Sequence, residues 1–208
     1  MDKYAGTATL ESMSQAVWYN QWTLKKFARY LKGDILEVGC GIGNFTKFLT
    51  KYGKVWAIDI EEKYIKHTKK IVSNNTKIGF GNIEEGKYFF GDKKFDCVIC
   101  VNVLEHIKND DKALKNLSNL LKSDGYLILL VPMHMFLYTS IDKSLGHFRR
   151  YNKNNLIKMV KNAELDILKS IRLNFLGAIG WFVTGKILKS TKIDENKIQI
   201  FNLISPPF

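Results

Sequence analysis

Short apolar runs alternate with segments of helical periodicity along this chain. The runs are rich in β-branched and aromatic residues, which favour buried strands. Segments with apolar residues at helical spacing separate most of them, and this alternation is typical of an α/β fold with a mostly parallel sheet. Six strands are predicted, at residues 35–38, 54–59, 77–80, 95–101, 126–131 and 164–173.

Capping residues and helical periodicity place helices between most of these strands. The segment 84–95 is short and rich in turn residues, so the connection after the third strand is predicted to be a turn. Asn152 is predicted to cap the helix that follows the long segment 133–151. The predicted helices cover about residues 9–31, 44–51, 61–73, 110–121 and 152–162.

The stretch Ile35–Phe45, ILEVGCGIGNF, joins the first strand to a glycine-rich turn. Glycine at three alternate positions leaves the backbone open to close approach by a ligand. The spacing is not that of the dinucleotide fingerprint G-x-G-x-x-G, because Asn44 and Thr46 stand where that pattern needs glycine. Asp59 ends the second strand about 20 residues further on, the separation at which a carboxylate can reach a ribose diol.

At these residues the chain resembles the class I S-adenosylmethionine-dependent methyltransferases. The resemblance implies a doubly wound, mostly parallel Rossmann-like sheet with helices on both faces, a three-layer αβα sandwich. It also implies S-adenosyl-L-methionine as cofactor and S-adenosyl-L-homocysteine as product. In this family the glycine turn and the acid at the position of Glu37 lie beside the methionine, and the acid at the position of Asp59 takes the ribose hydroxyls.

Two further cofactor contacts have simpler alternatives. In this family an acid or amide at the position of Asn82 binds the adenine amine, but an asparagine can equally stabilise a turn. The leading helix crosses the cofactor mouth in this family, where Tyr19 and Trp22 can cover the sulfonium; otherwise both pack on the sheet. The predicted cofactor-binding residues are Tyr19, Trp22, Glu37, Gly39, Cys40, Gly41, Gly43, Asp59, Ile60, Asn82, Ile83 and Asn102.

Reactive side chains follow the fourth and fifth predicted strands, at the edge where open α/β sheets bind ligands. His106 follows the fourth strand, and His134 and His147 lie in the long segment after the fifth. Histidine can take a proton near neutral pH, so these three are the predicted catalytic bases.

The string D-x-x-L-G-H-F-R-R-Y at residues 142–151 resembles a subgroup of bacterial and archaeal methyltransferases associated with sugar, lipid or envelope metabolism. Paired arginines present forked donors that suit phosphate or carboxylate. Arg149, Arg150 and Tyr151 are therefore the predicted acceptor-binding residues. An ion pair between Asp142 and one of the arginines, which pins the segment to the sheet, has equal weight.

The three cysteines, Cys40, Cys97 and Cys100, are too few to pair completely and lie in apolar surroundings. They are predicted to be core thiols in a reducing compartment. Cys97 and Cys100 form a C-x-x-C, but the alternation of side chains along a strand sends them to opposite faces. No metal site is predicted.

An excess of Lys+Arg over Asp+Glu, 32 to 20, gives a net charge of +12 and favours anionic partners, unless it reflects a lysine-rich proteome. The chain has neither a D/N-P-P-Y/F signature nor a Pro-Cys pair, which leaves RNA or tRNA methylation as a second hypothesis. The apolar segment 174–190 suits a membrane surface, an acceptor channel, a homodimer contact or a buried helix. Its basic flank is Lys186, Lys189 and Lys192.

One domain is predicted, with a helical cap at 1–32, a cofactor-binding half at 33–132 and an acceptor-side half at 133–208. Residues 197–204 are the segment that can supply a last strand. The amino terminus lacks the pattern of a secretory signal, so a cytoplasmic location is expected, with peripheral contact at the inner membrane surface as an option. The predicted activity is methyl transfer to oxygen or nitrogen of a small-molecule, sugar or lipid-linked acceptor. A non-catalytic cofactor-binding protein and a nicotinamide dehydrogenase are the alternatives.

Overall fold

One sheet organises the part of the chain that the structure, a computed structural model, describes: residues 10, 11, 14, 16–73 and 75–173. Its strands are β1 (Asp34–Val38), β2 (Lys54–Asp59), β3 (Lys77–Asn82), β4 (Lys87–Tyr88), β5 (Phe95–Val101) and β6 (Leu121–Leu130). Their order is β4-β3-β2-β1-β5-β6, and every neighbouring pair is parallel except β3 and β4. The predicted doubly wound, mostly parallel architecture is confirmed.

Short helices connect the strands. They are α1 (Val17–Lys25), α2 (Thr46–Leu49), α3 (Glu62–Ile71), α4 (Asp110–Asn119), α5 (Ser140–Leu145) and α6 (Lys153–Asn162), with 3₁₀ turns at Ala28–Tyr30, Leu104–His106 and Met135–Leu137. Asn152 caps α6 as predicted, because its side chain accepts a hydrogen bond from the Asn154 N–H. The segment between β3 and β5 contains turns and the two-residue β4, as its composition predicts.

Apolar side chains cover both faces of the sheet. On one face Leu36, Val38 and Cys100 pack with Leu114 and Leu117 of α4. On the other face Leu24 of α1 and Leu49 of α2 pack with Ile35, Val55 and Cys97. Cys97 and Cys100 thus point to opposite faces, as the strand alternation predicts, and all three cysteines are buried free thiols. Helices and loops on both faces give the three-layer arrangement.

The predicted sixth strand at residues 164–173 is wrong, since this segment has no regular secondary structure. Its apolar residues Ile167, Leu168 and Ile171 are 40%, 68% and 37% exposed. A run of β-forming residues becomes a strand only when a neighbouring strand supplies hydrogen bonds and packing. Within the described residues this run has neither, and β6 is the edge of the sheet.

Three other elements of secondary structure differ from the sequence prediction. The leading helix is shorter than expected and ends at Lys25. Residues 123–125 lie inside β6, where the pairing with β5 shifts register, so the expected turn is an irregularity of the strand. The long segment after β6 contains α5, whose amino terminus is closed by a capping box of Thr139 and Asp142.

The segments 174–190 and 197–204 lie outside the described residues, and so do Lys186, Lys189 and Lys192. Among the described residues, every helix is too short or too polar to cross a membrane.

Candidate active site

The strand order reverses between β1 and β5, and loops from both strands meet at their carboxyl ends. Two hydrogen bonds hold the chain against β2 just after β1 ends. The N–H groups of Gly39 and Cys40 donate to the Ile58 carbonyl at 2.8 and 3.0 Å. The loop after β5 comes so close that a Cβ on Gly39 would lie 2.4 Å from the Val103 side chain. Open α/β sheets bind ligands at this reversal point.

The glycine turn needs glycine for its conformation as well as for space. Gly39, Gly41 and Gly43 have φ angles of +74°, +51° and +82°, which side chains disfavour. The hydroxyl of Thr68 in α3 donates to the Gly41 carbonyl at 2.8 Å and fixes the turn from behind. These contacts hold the turn in one conformation. Residues 40–44 are buried in this structure, so contact of the turn's backbone with a ligand stays a prediction.

Asp59 ties the end of β2 to this turn. One carboxylate oxygen accepts the Gly41 N–H at 2.8 Å and the other accepts the Glu61 N–H at 2.9 Å. Burial raises the pKa of Asp59 above its ordinary value, and these two hydrogen bonds oppose the rise. A carboxylate has about four acceptor positions, so Asp59 keeps capacity for a ribose hydroxyl.

Glu37 lies at the other side of the turn and is 5% exposed. The Thr46 hydroxyl donates to its carboxyl group at 2.5 Å. Burial raises the pKa of Glu37 to about 8, against the lowering effect of the Thr46 hydrogen bond and with a smaller contribution from the Asp59 charge. Burial thus acts on both carboxyl groups beside the turn and favours their neutral forms.

The edge beyond Asp59 combines an exposed apolar side chain with a polar turn. Ile60 is 61% exposed, although it follows a buried strand. Asn82 makes the turn that was its alternative role, because its side-chain oxygen accepts the Glu84 and Glu85 N–H groups at 3.0 and 3.1 Å. Ile83 is buried. The adenine contact of Asn82 stays a prediction, and its carbonyl oxygen has two backbone donors in this structure.

An amino-terminal residue that the sequence did not indicate lies against the turn. A Cβ on Gly41 would lie 3.2 Å from the Leu10 side chain, and the Asn44 amide donates to the Leu10 carbonyl at 3.0 Å. Tyr19 and Trp22 instead contact each other with ring centroids 5.9 Å apart, and Trp18 stacks on Trp22. Coverage of the sulfonium by Tyr19 and Trp22 remains a prediction.

The loop after β5 carries Asn102, which is exposed and has a φ angle of +51°. Three residues later Glu105 is 1% exposed, and one of its carboxylate oxygens has no hydrogen-bond partner among the described residues. Burial raises the pKa of Glu105 to about 8. The Glu105 carbonyl accepts the Phe148 N–H at 2.8 Å, which joins this loop to the segment after β6.

Asp142 is the centre of that segment and is fully buried. It accepts two hydrogen bonds from the Arg150 guanidinium, at 2.8 and 3.1 Å, and one from the Thr139 N–H at 2.9 Å. Nδ1 of His147 lies 2.9 Å from the same carboxylate. The ion pair that pins the segment, one of the two alternatives from the sequence, is present for Arg150.

Arg149 and Tyr151 pair with a second buried acid. The Tyr151 hydroxyl donates to Asp110 at 2.9 Å, and Arg149 forms an ion pair with Asp110 and donates to the Lys108 carbonyl at 2.9 Å. Burial and the Asp110 charge raise the pKa of Tyr151. These contacts show structural roles for Arg149, Arg150 and Tyr151, whereas their contact with an acceptor stays a prediction.

The structure brings two of the three predicted histidines together. The rings of His106 and His147 meet edge to face with centroids 4.6 Å apart. Desolvation and the His147 charge lower the pKa of His106 to about 4, although His106 keeps an exposed surface. His134 lies on an exposed turn with a φ angle of +67° and packs beside Phe136.

Sequence reasoning missed several residues that shape this edge. Nothing in the local spacing indicated that Thr46 contacts Glu37 or that Leu10 contacts the glycine turn. Asp110 has the position of a helix-capping acid, which gave no sign of its pairing with Tyr151 and Arg149. Glu105 is the neighbour of His106 in the loop after β5. This proximity in sequence could have identified Glu105 as a site residue, because the loop lies at the edge of the sheet that binds ligands. A concave surface formed by Gly33, Asp34, Gly53, Asp96 and Lys122 lies at the amino ends of the strands, at the opposite edge of the sheet.

A glycine turn and an acidic strand end at the reversal point of a doubly wound sheet define an α/β protein that binds a nucleoside-containing ligand. Residues 36–129 match the family model described as a methyltransferase domain. An uncharacterized protein of Methanocaldococcus jannaschii is 34% identical over 187 residues, which cover 86% of this chain and 77% of that protein.

Named enzymes match a shorter part. The ubiquinone biosynthesis O-methyltransferase of Rickettsia bellii is 36% identical over 100 residues, 46% of this chain and 40% of that enzyme. The solved structure of magnesium protoporphyrin IX methyltransferase from Synechocystis, with bound S-adenosylhomocysteine, has a TM-score of 0.58 at 20% identity and covers 78% of this chain and 79% of that one.

A further solved structure agrees in fold. The S-adenosylmethionine-dependent methyltransferase from Clostridium acetobutylicum has a TM-score of 0.54 at 17% identity, over 76% of this chain and 82% of that one. This chain belongs to the class I S-adenosylmethionine-dependent methyltransferases. The predicted family, enzyme class and cofactor are confirmed, and the acceptor capacity of Asp59 beside the glycine turn fits that cofactor.

Proposed function

We propose that this protein methylates a hydroxyl oxygen, or less favourably a nitrogen, of a small-molecule acceptor. One observation carries the proposal. His106 belongs to the loop after β5, and the His147 ring packs against the His106 ring. Val103 of the same loop packs on Gly39 of the cofactor turn. A group that can take a proton thus shares one edge of the sheet with the cofactor turn.

The residues around the turn hold the cofactor in this proposal. When bound, S-adenosylmethionine supplies an electrophilic methyl group on a sulfonium centre. The backbone of Gly39–Gly43 lies beside its methionine part, Asp59 accepts the ribose hydroxyls, and the exposed side chain of Ile60 packs on the adenosine. Asp59 is already held by two backbone N–H groups, so its carboxylate is oriented before the ligand arrives.

The acceptor side contributes positioning and proton removal. Methyl transfer is an in-line displacement, so alignment of the acceptor atom supplies much of the rate. A hydroxyl acceptor also needs a base, and Asp142 orients the His147 ring through Nδ1 at 2.9 Å, as an acid partner does for a general base. His106 lies beside it, and His134 on its exposed turn is the third candidate.

The acceptor is proposed to have an apolar part and a negative charge. Met135, Phe136 and Phe148 belong to the segment after β6 and are 57%, 65% and 53% exposed. Exposed apolar side chains in one segment favour an apolar ligand, and the net charge of +12 favours an anion. A lipid-linked or sugar-containing anion satisfies both. The Rickettsia relatives are named for O-methylation, which supports oxygen as the acceptor atom.

Calorimetric titration with S-adenosylmethionine, S-adenosylhomocysteine and NAD is the first experiment. We expect micromolar binding of the first two ligands, and loss of about 10-fold or more in affinity for Asp59→Asn, which removes the charge but keeps the shape. Asp111→Asn, at an exposed position of α4, is the matched control. Preferred binding of NAD, or unchanged binding by Asp59→Asn, contradicts the assignment of this edge.

An acceptor screen follows, with transfer of a labelled methyl group as the readout. Anionic sugars and lipids are tested beside total tRNA at several salt concentrations. We expect labelled small molecules and a lower turnover number for His147→Ala with cofactor affinity retained. Labelled RNA with a steep dependence on salt would instead identify the protein as an RNA methyltransferase.

A further inference from the structure

We propose that Glu105, His106 and His147 bind a divalent transition-metal ion at the acceptor edge. The fold brings these three side chains together from two separate segments, the turn after β5 and the segment after β6. One potential ligand atom from each lies within 4.8 Å of the other two. Two imidazoles and one carboxylate form a frequent ligand set for zinc, iron and neighbouring metals.

The Glu105 carboxylate supplies independent support. Glu105 is 1% exposed, and Oε2 is a buried oxygen with no hydrogen-bond partner among the described residues. Leaving a buried polar atom without a partner costs free energy. Where a folded protein contains such an atom, a bound ion is one of the known explanations. A cation bound between this oxygen and the two imidazoles satisfies it.

Each histidine already has the outer partner that metal-binding histidines usually have. Nδ1 of His147 lies 2.9 Å from the fully buried Asp142 carboxylate. A ring nitrogen of His106 hydrogen-bonds to the Gly146 carbonyl. Such partners fix the ring orientation and leave the other nitrogen to coordinate the metal. Arg150 shares the Asp142 carboxylate and balances its charge.

The geometry needs a small closure. Ligand atoms around a tetrahedral zinc ion are about 3.3 Å apart, which is less than the 4.8 Å limit within which these atoms lie. His106 is the exposed member of the three, so a small shift of its turn can bring it closer to the other two ligands. Three protein ligands leave one position open, so an acceptor hydroxyl can bind there and release its proton to solvent water more easily, which leaves its oxygen as the nucleophile for the methyl group.

With the metal ion bound, the acceptor hydroxyl no longer needs a free histidine as its base. This catalytic role of the ion rests on the proposed function. The binding site itself is tested without any acceptor. Tag-free protein is stripped with a chelator and titrated with Zn²⁺, Co²⁺ and Mg²⁺ by calorimetry, while the visible absorption of Co²⁺ reports nitrogen ligands. We expect one Zn²⁺ or Co²⁺ per chain and much weaker binding of Mg²⁺, which prefers oxygen ligands.

Variants connect binding to these residues. His106→Ala and Glu105→Gln are each expected to lower Zn²⁺ affinity about 10-fold or more, and Asp142→Asn about 10-fold through His147. His67→Ala, at an exposed position of α3, is the matched control and is expected to bind normally. Absence of stoichiometric binding, or binding that His106→Ala and Glu105→Gln leave unchanged, overturns the proposal.

The cofactor titration separates the two proposals. S-adenosylmethionine binding is measured on the stripped protein and on Glu105→Gln. Retained cofactor binding without metal binding overturns the metal site and leaves the methyltransferase assignment intact. Loss of cofactor binding in a stripped protein that still binds Zn²⁺ overturns the arrangement of the cofactor turn instead.

Discussion

The glycine turn and the Asp142 cluster lie at the same edge of the sheet but are built in different ways. The turn consists of neighbouring residues, and its main contacts are backbone groups such as the Gly41 N–H on Asp59. The cluster also lies within one segment, residues 139–150, but its main contacts are ionic or polar: Arg150, His147 and the Thr139 N–H are all directed at the buried Asp142 carboxylate. Backbone conformation shapes the first, whereas a buried charged group holds the second together.

This difference predicts how each region fails. Substitution in the turn acts on conformation and on the space that a ligand needs. Substitution in the cluster leaves buried charges without partners, which is more costly. Stability measurements should therefore separate the two regions more clearly than activity measurements.

The largest effect is expected for Asp142→Ala. The Arg150 side chain is 6% exposed and would keep a buried charge without its acid. Breaking a buried ion pair on one side costs about 3–5 kcal/mol. Chemical denaturation measures this cost as a lower midpoint with an unchanged slope.

The matched control is Asp111→Ala, at an exposed position of α4. A loss below about 1 kcal/mol for Asp142→Ala, similar to surface substitutions, would mean that the cluster does not hold the segment after β6. The charge-balancing variant Asp142→Ala with Arg150→Met should recover part of the loss, because it removes both charges.

Glu37→Gln is expected to change stability in a pH-dependent way. The folded pKa is about 8 and the ordinary value is 4.5, so folding favours the protonated carboxyl. The contribution of this group is greatest below pH 4.5 and is lost as the pH rises through 8. Glutamine cannot ionise, so the variant should gain stability over the natural protein as the pH rises from about 5 to 8, on the order of 1–4 kcal/mol.

Thermal unfolding at a series of pH values measures this difference. Glu62→Gln is the control, because Glu62 is exposed and its pKa is lowered by Lys66. It is ionised throughout this range, so its difference from the natural protein should stay flat. A flat profile for Glu37→Gln as well would show that Glu37 is ionised in the folded protein.

The sequence predicted the glycine turn and its surroundings because their signals are local. The positions of Gly39 and Asp59 follow from the ends of two buried strands, and Cys97 and Cys100 face opposite ways because a strand alternates. Asn152 caps a helix through a contact only two residues long. Each of these features depends on chain geometry over a few residues.

The contact between the Asp142 cluster and the loop after β5 was outside the reach of such reasoning. Asp142 and Arg150 were named as a possible ion pair, but the meeting of Glu105 with His147 depends on how the loops after β5 and β6 pack. The predicted sixth strand is wrong for a related reason. Ile167 and Leu168 have strand propensity, but no strand of the described part of the chain lies beside them. Secondary-structure propensity and residue spacing carry no information about which distant segments pack together.

Gly39→Ala tests the turn itself. A side chain at a φ of +74° costs about 1–2 kcal/mol, and the new Cβ would lie 2.4 Å from Val103. We expect a total loss of about 2–3 kcal/mol in thermal or chemical unfolding, together with weaker cofactor binding. Gly91→Ala is the matched control, because Gly91 has a φ of +60° and no atom within 4 Å of the added Cβ.

The difference between the two glycine variants isolates the contact with Val103. Gly39→Ala combined with Val103→Ala should return toward the value of Gly91→Ala, since the clash is removed and the backbone cost remains. Equal losses for Gly39→Ala and Gly91→Ala would show that the loop after β5 does not press on the turn.

The smallest effect is expected for Tyr151→Phe. The variant keeps the buried ring and removes the hydroxyl that donates to Asp110 at 2.9 Å. Asp110 keeps its ion pair with Arg149, so its charge stays compensated. We expect a loss of about 1 kcal/mol, the ordinary value of one hydrogen bond, in chemical denaturation. Tyr64→Phe in α3 is the comparison, at a partly exposed tyrosine outside this cluster. If Tyr151→Phe instead approaches the loss for Asp142→Ala, the pairs at Asp110 and Asp142 form one cooperative network, and the segment after β6 is held at both acids together.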